Sequence, residues 1–170
     1  MKKRLFLPAK AYGKEKASPG PSVVSFTLPQ ASAAFTRSAS GPGSVNLARL
    51  ATATASGEEN GGLAPRFAID GDPATRWGSR HRDGEWICLD FGKERTISRC
   101  AIDWENARAE TYLVEAATEG GAWRTVATGK TDSAGRVEHS FASVRARRLR
   151  ITGLTRNTDY GISIFEIDVR

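Results

Sequence analysis

The chain has 170 residues, two cysteines and a formal net charge of +6, a length that suits one domain plus a tail. The charge is local: residues 1–44 hold seven Lys and Arg against Glu15, while residues 45–170 hold eighteen of each sign. A phosphate-binding surface needs a basic stripe on the folded part, so a nucleic-acid partner is not expected, and two cysteines with two histidines (His81 and His139) make neither a disulfide framework nor a zinc finger.

Residues 1–44 are rich in Ser, Ala, Pro and Gly and read as a linker or disordered arm ending at Gly41-Pro42-Gly43-Ser44. Val23–Leu28 could make an isolated strand, but Pro19, Pro21, Pro29 and Pro42 leave it no neighbour. Met1 to Leu7 has the charge of a secretion signal, yet Pro8, Lys10, Lys14 and Lys16 interrupt any apolar core, so no convincing signal peptide is expected. No apolar run approaches the roughly 18 residues of a membrane span.

From Asn46 the character changes. Leu47–Ala55 reads as a strand, Ser56–Gly62 as a polar loop and Ala64–Ile69 as one helical turn. Glu85–Phe91 alternates, with Ile87, Leu89 and Phe91 on one face and Trp86, Cys88 and Asp90 on the other. In Thr96–Trp104 a face is shared by Cys100, Ile102 and Trp104, which puts the two cysteines in different layers and makes a disulfide unexpected. Strands then follow over Tyr112–Ala117, Trp123–Ala127, Val137–Phe141, Arg147–Thr152 and Ser163–Val169. Short strands at roughly ten-residue spacing, joined by Gly-rich turns, predict an all-β sandwich or barrel. Arg148 and Arg150 share one strand face, read as solvated.

The stretch Ala68-Ile69-Asp70-Gly71-Asp72-Pro73-Ala74-Thr75-Arg76-Trp77 stands apart. Gly71 permits positive φ and Pro73 removes an amide donor, so a tight turn presents carboxylates, carbonyls and the Thr75 hydroxyl. These are oxygen ligands of the kind calcium takes, although the same residues also read as a plain surface Asp-Gly turn. The spacing is not that of an EF-hand: counting from Asp70, Thr75 holds the sixth place and His81 the twelfth.

Five ordered pieces carry a family resemblance: Asn46-Leu47-Ala48, the Ala68–Trp77 stretch, Trp86-Ile87-Cys88-Leu89-Asp90-Phe91-Gly92, Asp103-Trp104-Glu105 and Tyr160-Gly161-Ile162-Ser163-Ile164-Phe165-Glu166. Residues 45–170 thereby resemble a coagulation factor V/VIII C-type (discoidin) domain, in the branch of family 32 carbohydrate-binding modules. The resemblance implies an eight-stranded antiparallel jelly-roll sandwich that binds glycans through loops at one end. It also implies a structural calcium ion held by the Phe67 carbonyl, the Asp70 carboxylate, the Asp72 carbonyl, the Thr75 carbonyl and hydroxyl, the Phe165 carbonyl and the Glu166 carboxylate. Matched residue by residue to modules for glucosamine-type chains, the sugar positions are Glu59, Arg76, His81, Glu105 and Tyr160. Galactose-binding relatives carry a histidine where this chain has Gly78, so a galactose preference is not expected.

Each residue also has a plainer reading. Arg76 could brace the turn or pair with Glu105, Glu59 and Glu105 could be solvated charges, and Trp77, Trp86 and Trp104 suit a sandwich core. No Gly-x-Ser-x-Gly elbow, His-Glu-x-x-His pair or phosphate-binding glycine loop is present, so catalysis is not expected of this chain. The loops Ser56–Gly62, Gly78–Gly84 and Arg156–Gly161 are polar, which argues against lipid insertion. The expectation is an extracellular or cell-surface module, monomeric or part of a larger multidomain protein, whose partner is an oligo- or polysaccharide. A discoidin-type adhesion or protein-binding domain is the alternative.

Overall fold

The computed structural model describes residues 45–170. The readings of an arm over 1–44 and a strand over Val23–Leu28 lie outside the described residues. A 3-10 turn at Leu47–Leu50 leads into β1 (Thr52–Ala55), and two more such turns, Gly61–Leu63 and Pro65–Ala68, precede β2 (Trp77–Gly78). The remaining strands are β3 (Trp86–Trp104), β4 (Ala109–Ala117), β5 (Arg124–Lys130), β6 (Gly135–Arg156) and β7 (Ser163–Val169).

All pairings are antiparallel, in the order β2-β7-β3-β6-β4-β5 with β1 on the free side of β3. The two long strands serve both layers of the sandwich. The first half of β3 pairs with β1 and with the second half of β6, which also pairs with β4. The second half of β3 pairs with β7 and with the first half of β6. The jelly-roll sandwich is therefore as expected, but the eight expected strands become seven. Glu85–Phe91 joins Thr96–Trp104, Val137–Phe141 joins Arg147–Thr152, and β2 is added. The join in β3 turns at a register shift between Asp90 and Arg95, where the Asp90 carboxylate accepts from the Gly92 N–H at 2.8 Å. A turn-forming Asp-x-Gly here bends a strand without ending it.

The expected strand over Leu47–Ala55 is corrected in its first half. The Asn46 side chain accepts from Ala48 N–H (2.9 Å) and Val169 N–H (3.0 Å), and its amide donates to the Ile167 carbonyl (3.2 Å). One side chain thus caps the 3-10 turn and fastens it to the last strand. The turn expected near Ala64–Ile69 is present at Pro65–Ala68.

Alternation places the core as predicted. Ile87, Leu89 and Phe91, and Cys100, Ile102 and Trp104, all point inward and are buried. Trp77 and Trp104, each 1% exposed, are core residues, packed with Tyr112, Ile164 and Ile167. Trp86 is only half-buried on the outer face. Cys88 and Cys100 are free thiols, and complete burial pushes Cys100 up to about 12. The reading of Arg148 and Arg150 as a solvated face is corrected: both are half-buried, with the Trp123 ring at 5.1 and 4.3 Å from their guanidinium carbons.

Candidate functional site

The turn after Pro65–Ala68 gathers oxygens. The Thr75 hydroxyl lies 3.0 and 2.9 Å from the two Asp70 carboxylate oxygens, 3.0 Å from the Asp72 carbonyl and 3.4 Å from the Phe67 carbonyl. A hydroxyl has one proton to donate, so most of these close approaches bring oxygen against oxygen with no hydrogen between. The turn directs them there. Asp72 spends its carboxylate on the Ala74 N–H (2.9 Å), and Asp70 accepts from Asp72 N–H (2.9 Å), which leaves the Asp72 carbonyl aimed inward. Gly71 has φ of 75°, and any side chain there would also collide with the Arg49 guanidinium.

Glu166 comes to this turn from β7, accepting from the Gly71 N–H at 2.9 Å across 95 positions of chain. Burial pushes its carboxyl up; the Gly71 N–H and Arg49 pull it down, and Asp70 and Asp103 push it up again. The guanidinium of Arg49 is 3.9 Å away. Phe165 precedes Glu166 on β7, and its carbonyl makes none of the contacts to Thr75. Among the described residues no three His, Cys, Asp or Glu side chains cluster. The donor set here is instead two carboxylates with carbonyl and hydroxyl oxygens, a set suited to a hard cation of calcium's size.

A second cluster forms where three loops meet. His81 Nε2 lies 3.5 Å from Glu59 Oε2, and the His81 ring meets Tyr160 edge-on at 5.8 Å and 82°. Tyr160 is 66% exposed. Each loop is fastened from behind. Trp77 Nε1 donates to the Gly57 carbonyl (3.1 Å), and Glu59 N–H donates to the Gly78 carbonyl (2.9 Å). Glu85, 1% exposed, accepts from Ser56 in the first loop and from Arg82 in the second. Arg156 donates to Asp83 Oδ1 and to the Asp159 and Tyr160 carbonyls, all at 3.0 Å. Gly161 lies so close to Ser79 that a Cβ would sit 2.1 Å from its carbonyl oxygen. None of these supports was singled out from sequence, because each also has a partner remote along the chain, as Glu85 has in Ser56 and Arg156 in Asp83.

Of the five expected sugar positions, Glu59, His81 and Tyr160 stand together. Arg76 is half-buried, makes no ion pair with Glu105, and its Nε is buried without a hydrogen-bond partner. Glu105 follows β3; its carboxylate accepts from Ala107 N–H (2.7 Å) and its N–H donates to the Ser163 carbonyl (3.1 Å). No contact joins it to the other three. At Gly78 a Cβ would lie 2.9 Å from Leu63 Cδ1, so Leu63 fills the space a side chain at that position would need.

Comparison with known proteins agrees with this architecture. The family model of the F5/8 type C domain matches residues 52–167. Chitosan-binding module 1 of a chitosanase/glucanase from Paenibacillus sp. IK-5 is 35% identical, with a TM-score of 0.71 over 75% of this chain and 99% of that one. Module 2 of the same enzyme, solved in complex with chitotriose, is 32% identical, with a TM-score of 0.69 over 73% of this chain and 98% of that one. The polysaccharide lyase 8 family protein HylA of Enterococcus faecalis is 28% identical over 82 residues, 43% of this chain but only 6% of that protein's length. With that match and the two-layer jelly roll built on β3 and β6, the chain belongs to the F5/8 type C (discoidin) domain family, in its branch of family 32 carbohydrate-binding modules.

Proposed function

We propose that this chain is a non-catalytic, calcium-stabilised carbohydrate-binding module that brings a larger extracellular protein to a β-linked glycan, with glucosamine-type chains such as chitosan favoured. The observation that carries this reading is the loop cluster: an exposed Tyr160 ring beside His81, itself 3.5 Å from the Glu59 carboxylate. An exposed aromatic face stacks on the apolar side of a pyranose ring. Glu59 and Glu105 accept hydrogen bonds from hydroxyls or pair with a glucosamine ammonium. Arg76 makes no ion pair among the described residues, and the rest of its guanidinium has donors to offer a sugar oxygen. The similarity to two chitosan-binding modules supports the same ligand class.

The calcium ion fits the oxygens around Thr75. Phe67, Asp70, Asp72, Thr75, Phe165 and Glu166 would hold it, and it would supply only positive charge there. Its role is structural, fastening an early turn to the last strand.

Calorimetric titration of the full chain with chitotriose and with its N-acetylated counterpart tests the ligand. An open site with one stacking ring predicts a dissociation constant of roughly 10 µM to 1 mM. Affinity should fall with added salt and on acetylation, which removes the ammonium charge. Equal affinity for the two trimers would reject the amino-sugar preference, and no binding to either, or to neutral β-linked chains, would reject the lectin reading.

A further inference from the structure

A groove of about 600 Å³ opens on the outer face of the sheet, apart from both sites above. Strand alternation builds it. Thr52 and Thr54 on β1, Trp86 and Asp90 on β3 and Arg148 on β6 all face it, and Trp123, one residue before β5, adds a second indole. The register explains the grouping, since Thr52 sits opposite Asp90 and Asp90 opposite Arg148.

Three guanidinium groups line this groove, and they differ in their partners. Arg150 forms a two-pronged pair with Glu115 at 2.9 and 3.0 Å, and Thr152 donates to the same carboxylate at 2.8 Å. Arg147 pairs with Asp90 at 3.1 Å and with Glu119. Arg148 makes no ion pair among the described residues; its guanidinium rests against Trp123 at 5.1 Å. Stacking engages the flat face of a guanidinium and leaves its N–H edges free for a planar anion. The groove therefore offers one guanidinium with no ion pair among the described residues, opposite Asp90 in register, with two indole rings and two threonine hydroxyls.

We propose that this groove is a second carbohydrate site, specific for a uronic acid residue. The sugar ring packs on the indoles, its carboxylate meets the forked donors of Arg148, and Thr52 and Thr54 take hydroxyls. A neutral sugar leaves Arg148 unmatched. An amino sugar offers Arg148 no anion and sets a like charge beside it. The two sites on this chain would thus select sugars of opposite charge.

NMR titration of the full chain with trigalacturonate tests this, using its methyl ester as the uncharged control. The indole N–H signals of Trp86 and Trp123 should shift, while those of the buried Trp77 and Trp104 stay. Esterification and Arg148→Gln should each weaken binding roughly tenfold or more. Arg148→Lys, which keeps the charge but loses the fork, should fall between. Chitotriose binding should be unchanged in Arg148→Gln, so failure here is separable from failure of the loop site. Unmoved indole signals at about 10 mM trimer, shifts that survive esterification, or shifts confined to the Tyr160 and His81 loops would each overturn the proposal. The esterified control needs no variant, so the test stands even if Arg148→Gln misfolds.

Discussion

Around Thr75 the hydroxyl's single proton faces four oxygens, two of them on the Asp70 carboxylate, and the backbone N–H groups of Asp72 and Thr75 relieve only part of the excess. Chelator should therefore lower the melting temperature: an ion at 100 times its dissociation constant stabilises by about 2.7 kcal/mol, which is about 10 °C or more for a domain near this size. Asp70→Ala should melt low with or without chelator, because it removes the charged ligand on the turn. A melting curve indifferent to chelator, with no ion found by metal analysis, would reject the calcium centre. At the loop cluster, single residues separate stacking from charge. Tyr160→Ala should weaken charged and neutral glycans alike, by roughly tenfold for one lost aromatic face. Glu59→Gln should weaken only the ammonium-bearing chain, which paired titrations would show.

At the scale of elements, β7 joins the two sites: it begins beside the Tyr160 loop, pairs with β2 through Ile164 and Trp77, and delivers Glu166 to the Asp70 turn. Gly161→Ala pushes a methyl into the Ser79 backbone, a clash of the kind that costs about 1–3 kcal/mol. It should lower glycan affinity together with stability, yet leave the response to chelator intact; unchanged binding would show that this approach does not set the loop. Much of the sheet was legible, because a period of two in Ile87, Leu89 and Phe91, or Cys100, Ile102 and Trp104, maps directly onto burial. The continuity of β3 was not, since Gly92-Lys93 reads locally as a chain reversal and only pairing with β6 shows it to be a bend. Leu47–Leu50 looked extended because the Asn46 side chain that caps it is itself held by Ile167 and Val169, over 120 positions away. The loop residues Glu59, His81 and Tyr160 could be named only through family resemblance. Their supports, Glu85 and Arg156, each reach a remote partner, Ser56 and Asp83, that no local pattern marks. Arg148 looked solvated because Trp123, which rests on it, lies 25 positions earlier.

For the molecule as a whole, residues 45–170 are formally neutral, so acid stability turns on particular groups rather than on net charge. Two sets of groups separate by pH. For Asp168, hydrogen bonding to Arg170 outweighs burial and holds the carboxyl low. Burial alone would raise Glu115, but the bonds from Arg150 and Thr152 lower it. Such carboxylates stabilise the fold above the unfolded value near 4 and lose that contribution as pH falls through their folded values. His139 acts earlier. Its ring is half-buried, shares a 2.9 Å hydrogen bond with the Tyr112 hydroxyl, and burial pulls its pKa down. The unfolded chain therefore takes up the proton first, near pH 6.5, and the folded state loses stability as pH drops from there toward the lowered value. The slope can reach at most about 1.4 kcal/mol per pH unit, since one proton is involved. In His139→Gln, denaturant unfolding at constant calcium should show a flat stretch between about pH 6.5 and 5.5, followed by the same carboxylate-driven decline. An equal slope in the parent and in His139→Gln would mean that the ring takes up its proton without opposing the fold, and the buried pair with Tyr112 would have no part in acid unfolding.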